Sequence, residues 1–221
     1  MTEATGASST PKRPVVVPAI GLVLLTVLGI TALLGGMNEV PDPAPPQLAK
    51  GAILDQGQYA TQFVDAVITT QKAENEFGED KRFLDLIFKV TNQGTETSPV
   101  GMPPQKPESA FTGTTFASSL VKITPTIKQE FGPMAFALAK GVDSRQLHPG
   151  VPTVVTVRFR LGDTDQPPDK VVLDVAGFEY EPGFNDTNYS WKIVSEETQE
   201  DTFLPEIKAQ VTLPVTVQEP V

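Results

Sequence analysis

At 221 residues the chain is long enough for one domain of ordinary size with appended segments. It has no cysteine, one histidine and 21 prolines, which excludes a disulfide framework, a thiolate metal site, a cysteine nucleophile and a thiol-linked acyl anchor. The formal charge of −10 is uneven: Lys12 and Arg13 face Glu3 up to Gly36, after which 15 basic residues face 26 acidic ones. So acidic a body repels polyphosphate, which argues against nucleic acid as a partner.

Taken in chain order, residues 1–13 are small and polar and read as a disordered cytoplasmic tail. Residues 14–36, PVVVPAIGLVLLTVLGITALLGG, carry no charge. About 20 apolar residues at roughly 1.5 Å each cover a hydrocarbon core of about 30 Å. Val15, Leu22, Leu25, Leu28 and Leu33 are the expected lipid-facing anchor residues. Lys12 and Arg13 precede the run, and Glu39 and Asp42 are the first charges after it. The positive-inside bias therefore predicts a single-pass plasma-membrane protein with its N-terminus in the cytoplasm and its bulk outside. A cleaved signal peptide is the alternative, but the run is long and ends in a poor cleavage site, so an uncleaved signal anchor is the reading adopted. Gly29, Ala32 and Gly36 place small residues where a second helix could approach closely, although glycine and alanine are common in any spanning helix.

Residues 37–48 contain Pro41, Pro43, Pro45 and Pro46 and predict an extended linker. From 49 to 221 the pattern becomes that of strands. Leu84, Leu86, Phe88 and Val90 alternate with polar residues, as do Val155, Val157, Phe159 and Leu161, and Ile207, Ala209, Val211 and Leu213. Further strands are expected over 59–69, 111–123, 132–140, 171–181 and 189–195. Turn signals fall between them at Asn92-Gln93-Gly94, His148-Pro149-Gly150, Gln166-Pro167-Pro168 and Glu181-Pro182-Gly183. Seven or eight short strands without an amphipathic helix predict two packed antiparallel sheets. Pro214 cannot donate to a ladder, so the last strand should end there or run along an edge.

Chemistry-bearing constellations are scarce. His148 is the sole histidine and sits beside Pro-Gly, as on an exposed turn. There is no nucleophile elbow, P-loop or zinc-protease motif, so no enzyme activity and no cofactor is predicted. Glu179 and Glu181 share one face of a strand, a pattern that ordinary solvent exposure explains. Asp163, Asp165 and Asp169 gather in LGDTDQPPDK and are the weak candidates for a calcium site. The loop lacks the twelve-residue ligand pattern and its glycine, which favours a solvated acidic loop. Trp191, the single tryptophan, reads as packing at the core or its rim rather than as a ligand platform.

Two segments carry a resemblance. V-T-N-Q-G at residues 90–94 after the strand FLDLIFK, and L-H-P-G at 147–150 before another strand, are similar to motifs of immunoglobulin-like β-sandwich domains exported by Gram-positive (actinobacterial) lipoproteins and single-pass proteins. The mycobacterial secreted immunoprotective protein is a related sandwich. The resemblance covers roughly residues 51–181 and implies an all-β, immunoglobulin-like antiparallel sandwich, so a sandwich domain is expected over 49–221 following the transmembrane helix. It carries over no catalytic residue. Anchor and short linker together predict an extracytoplasmic accessory or interaction module, contacting the lipid bilayer and a neighbouring membrane protein complex. The alternative is an envelope sensor that binds a small molecule, glycan, lipid or metal ion.

Overall fold

The structure, a computed structural model, describes residues 43–73, 75–127, 132–139, 142–183, 187–198 and 202–218. The chain divides into two compact units, Met1–Ala44 and Pro45–Val221. The predicted span over 14–36 lies outside the described residues, and with it Val15, Leu22, Leu25, Leu28, Leu33, Gly29, Ala32 and Gly36. Among the described residues no helix is long and apolar enough to cross a membrane.

The second unit is mostly β. Its strands begin with β1 (Gln47–Ala49), β2 (Ile53–Asp55), β3 (Tyr59–Gln71), β4 (Lys81–Asn92) and β5 (Ser98–Pro99). Two short 3-10 helices follow, η1 (Pro107–Thr112) and η2 (Phe116–Ser119), leading into β6 (Leu120–Thr124). Then come β7 (Met134–Ala139), β8 (Val142–Ser144), β9 (Gln146–Leu147), β10 (Pro152–Leu161) and β11 (Lys170–Ala176). The last are β12 (Phe178–Pro182), β13 (Tyr189–Ile193), β14 (Ser195–Glu197), β15 (Phe203–Pro205) and β16 (Ile207–Val217). The long strands fall where the sequence predicted them, except that the expected strand over 171–181 divides at Gly177 into β11 and β12, which pair with different partners; the additional ones are pieces of two to five residues that carry too few alternations to read.

The predicted strand over 111–123 is corrected to the two 3-10 turns and β6. Pro107 opens the first, and in the second Thr115 accepts and donates with Ser118 as a capping pair. Short hydroxyl side chains that satisfy nearby backbone groups favour turns over a ladder. The start of the domain is corrected too. Although residues 37–48 were expected to be linker, Gln47 and Leu48 pair with Gln210 and Val211 in β1, and Gln210 N donates to Pro46 O at 3.0 Å.

Ten strands form one hydrogen-bonded path whose two parts meet at the final strand. In one part β6, β11, β16 and β1 lie side by side; the other runs β16, β3, β4, β10, β7, β8, with β2 on β3. β16 pairs with β11 from Ile207 to Pro214 and then, from Val215 to Val217, runs parallel to Ala66–Ile68 of β3. Pro214 thus neither ends the strand nor marks a free edge. It stands where β16 leaves one partner for the other, a place where the missing N–H breaks no ladder. The pairings are mainly antiparallel, but β1–β16 and β16–β3 are parallel, so the sheets are mixed.

The core lies between apolar faces. Leu84, Leu86, Phe88, Val90, Val155, Val157, Ala209, Val211 and Leu213 are all fully buried, as their alternation predicted. Phe63, Phe88, Phe116, Tyr59 and Phe178 form a chain of edge-on rings 5.2–5.9 Å apart. Such pairs contribute about 0.5–1.5 kcal/mol each beyond their buried area. One charge on the face opposite the core is also covered: Asp85 accepts from Arg158 Nε and Nη2, both at 2.7 Å, across the β4–β10 ladder. The Arg158 guanidinium in turn lies 4.8 Å from the Phe83 ring centre.

Candidate binding site

The two segments noted above meet at Asn92. Its side chain is fully buried, and Nδ2 donates to Glu96 O at 2.8 Å and to Leu147 O at 3.0 Å. Its Oδ1 accepts from Gly94 N, and its backbone carbonyl accepts from Gly150 N. One asparagine therefore holds both turns. Behind it Ser98 accepts from the buried Tyr59 hydroxyl at 3.0 Å. Residues 92–99 are fixed by these bonds into one wall of a cleft.

The opposite wall is the β12–β13 hairpin. Its register sets Phe178 against Ile193, Tyr180 against Trp191 and Pro182 against Tyr189 on one face, with Glu179 and Glu181 on the other. Phe178 and Ile193 are buried and root the hairpin in the core. Farther out, Tyr180 lies 5.2 Å from Trp191 and 5.5 Å from Tyr189, ring centre to ring centre. Tyr180 and Tyr189 are each 56% exposed. The result is an aromatic strip with its inner end packed and its outer end in solvent.

Two glycines seat the indole. Gly57, in the turn between β2 and β3, has φ +92°, and a Cβ there would collide with Phe178 O and lie 3.4 Å from Trp191 Cζ3. A Cβ on Gly94 would lie 3.3 Å from Trp191 Nε1. Close approach and a positive φ both require glycine at position 57. The indole makes no hydrogen bond with any described residue.

The cleft holds about 330 Å³ and is lined on its polar side by Gln58, Thr95, Glu96, Thr97, Ser98 and Ser190. Gln58 is 7% exposed, and its Oε1 is buried with no hydrogen-bond partner. Its neighbour Gln56 is the opposite case: Nε2 donates to Ser119 Oγ and Ala176 O, and Oε1 accepts from Thr61. A concave surface that joins exposed aromatic rings to a few convergent polar groups is the usual form of a small-ligand site.

The sequence candidates fall elsewhere. Arg82 Nη2 donates to the carbonyls of Gly162, Asp163 and Asp165 at 2.8–3.0 Å. A guanidinium thus holds the carbonyls that a calcium ion would need. Asp165 Oδ2 accepts from Gly162 N, whereas Asp169 O accepts from Val215 N beside the crossing of β16. Among the described residues, Asp163, Asp165 and Asp169 included, no three His, Cys, Asp or Glu side chains converge on one point. His148 is exposed, with Nδ1 3.0 Å from Thr97 Oγ1. Glu179 lies across from Lys192 on the outer face of the hairpin. Trp191 does pack against the core rim, as read from sequence, and lines the cleft as well. Tyr180 and Tyr189 were missed as a site. Their alternation with Phe178 and Trp191 was present, but only the hairpin register shows that the rings touch.

The chain matches no protein-family model, no curated protein and no solved structure.

Proposed function

We propose that this chain is a non-enzymatic binding module, held at the outer face of an actinobacterial-type plasma membrane by a helix over residues 14–36. In this reading the β unit is an immunoglobulin-like sandwich, a view supported by the two parts of its ten-stranded sheet, the last strand they share and the joined 90–94 and 147–150 turns. The observation that carries the binding role is the cleft. It combines an exposed aromatic strip with a buried, unpaired glutamine acceptor. The emission of Trp191, the single tryptophan, tests the reading directly. Solubilised envelope extract should shift that emission in the full chain, and the shift should shrink in Tyr180→Ala. Emission that is unmoved by every envelope fraction would sink the proposal.

A second reading, an accessory subunit of a membrane complex, rests on a different surface. Exposed Met102 and Met134 line a groove of about 630 Å³ beside Arg158, and exposed Leu138, Val142 and Val154 lie farther along the paired strands β7, β8 and β10. Apolar side chains gathered at a sheet end suit a protein contact. Gentle solubilisation should then recover a stoichiometric membrane protein that Leu138→Glu releases; a chain that purifies alone counts against it.

A further inference from the structure

We propose that the cleft between residues 92–99 and the β12–β13 hairpin takes a neutral saccharide, its rings laid on the strip formed by Trp191, Tyr180 and Tyr189. The proposal rests on reading this cleft as the module's binding site and goes on to name the ligand class. Three observations narrow the chemistry.

Ring spacing is the first. Neighbouring centres are 5.2 and 5.5 Å apart, with planes tilted by 48° and 32°. A quaternary ammonium needs rings standing apart around it, each within about 6 Å of the cation. Rings that already touch one another leave no room for an ammonium between them, and no slot for a proline ring of the kind used in polyproline recognition. What they present is a continuous surface. The C–H face of a pyranose is attracted to the negative face of an aromatic ring and fits such a surface.

Charge is the second. Among the described residues Glu96 is the one charged residue lining the cleft, and none of those lining it is lysine or arginine; the chain carries −10 overall. Phosphorylated, sulfated or uronic ligands would meet repulsion without a compensating donor. Neutral sugars would not.

The third is hydrogen bonding. Gln58 Oε1 is buried and needs a donor, and Trp191 Nε1, beside Gly94, bonds to no described residue and is open to an acceptor. A hydrocarbon chain would answer neither. Sugar hydroxyls donate and accept, so one ligand class answers both while covering the rings.

The test uses the full chain in a detergent without a sugar headgroup and reads Trp191 emission. Cellotriose, maltotriose, mannotriose and chitotriose serve as neutral probes; trigalacturonate, phosphocholine and a proline decamer are the contrasts. At least one neutral trisaccharide should give a saturable shift, with trigalacturonate at least about tenfold weaker at low salt. Tyr180→Ala and, separately, Tyr189→Ala should weaken that binding several-fold to about tenfold. Gln58→Met should weaken it too while leaving the thermal midpoint unchanged or raised, which a merely structural glutamine would not do. If phosphocholine, the decamer or envelope extract moves Trp191 and the neutral sugars do not, the ligand class is wrong and the cleft stands. Silence toward every probe and extract overturns both.

Discussion

Asn92 Nδ2 donates to Leu147 O at 3.0 Å, joining two turns 55 residues apart in the chain. Asn92→Ala should destabilise the protein by about 2–3 kcal/mol, because it strands the buried Leu147 carbonyl together with other partners. Asn92→Asp should not rescue it, since a carboxylate cannot donate to that oxygen. Urea unfolding followed at Trp191 checks both, and a cost under about 0.5 kcal/mol for either would refute the role.

Gly57 answers for the seat of the indole. Gly57→Ala forces a side chain into φ +92° and against Phe178 O, at a cost of about 1–3 kcal/mol. It should also push Trp191 outward, seen as a red shift in emission. An unshifted spectrum with unchanged stability would show that the turn tolerates a Cβ.

The Asp85–Arg158 pair is largely sheltered, with side-chain exposures of 5% and 29%. Asp85→Ala alone should cost about 3 kcal/mol by leaving the guanidinium over Phe83 without its carboxylate. The double variant Asp85→Leu with Arg158→Met should recover much of that loss. Equal losses in single and double variants, measured by chemical denaturation, would mean that the charges do not matter to each other.

Burial raises the pKa of the Tyr59 hydroxyl above its ordinary 10.0, an effect opposed by its hydrogen bond to Ser98. The raised folded value fixes the sign. Tyr59 contributes its full stability below pH 10, and that contribution is lost as pH rises through the folded pKa. The thermal midpoint should therefore fall more steeply above pH 10 in the native protein than in Tyr59→Phe. Parallel slopes for the two would refute this.

Arg82, rather than a metal, organises the loop at 162–165. Millimolar calcium should leave the thermal midpoint of the native protein unchanged, whereas Arg82→Met should lower stability by about 1–2 kcal/mol through the carbonyls it strands. A clear calcium-induced rise in the native protein would restore the acidic loop as a cation site.

How much of this was legible beforehand depends on how local each feature is. Alternation placed Leu84, Leu86, Phe88 and Val90 on one buried face because strand period is a property of neighbouring residues. The same reasoning put Asp85 on a solvent face, yet Asp85 is covered, since only the β4–β10 register brings Arg158 opposite it and only the β10–β7 pairing brings Phe136 to the guanidinium.

By itself the sequence determined the β character of the unit after residue 45, the two turns that Asn92 ties together, the acidic charge, and the uncharged run at 14–36 on which the membrane proposal depends. Tertiary structure alone decided which residues share a surface. Pro214 reads as a stop or an edge, but it becomes a crossing because β16 pairs with β11 up to that residue and with β3 beyond it. The acidic loop reads as solvated, with nothing in it to show that Arg82, some 80 positions earlier, holds its carbonyls. Tyr180, Tyr189, Trp191 and Gln58 form a cleft because a hairpin register and a distant turn bring them to one place. Spacing along the chain constrains only near neighbours, and a binding surface is assembled from residues that folding alone makes adjacent.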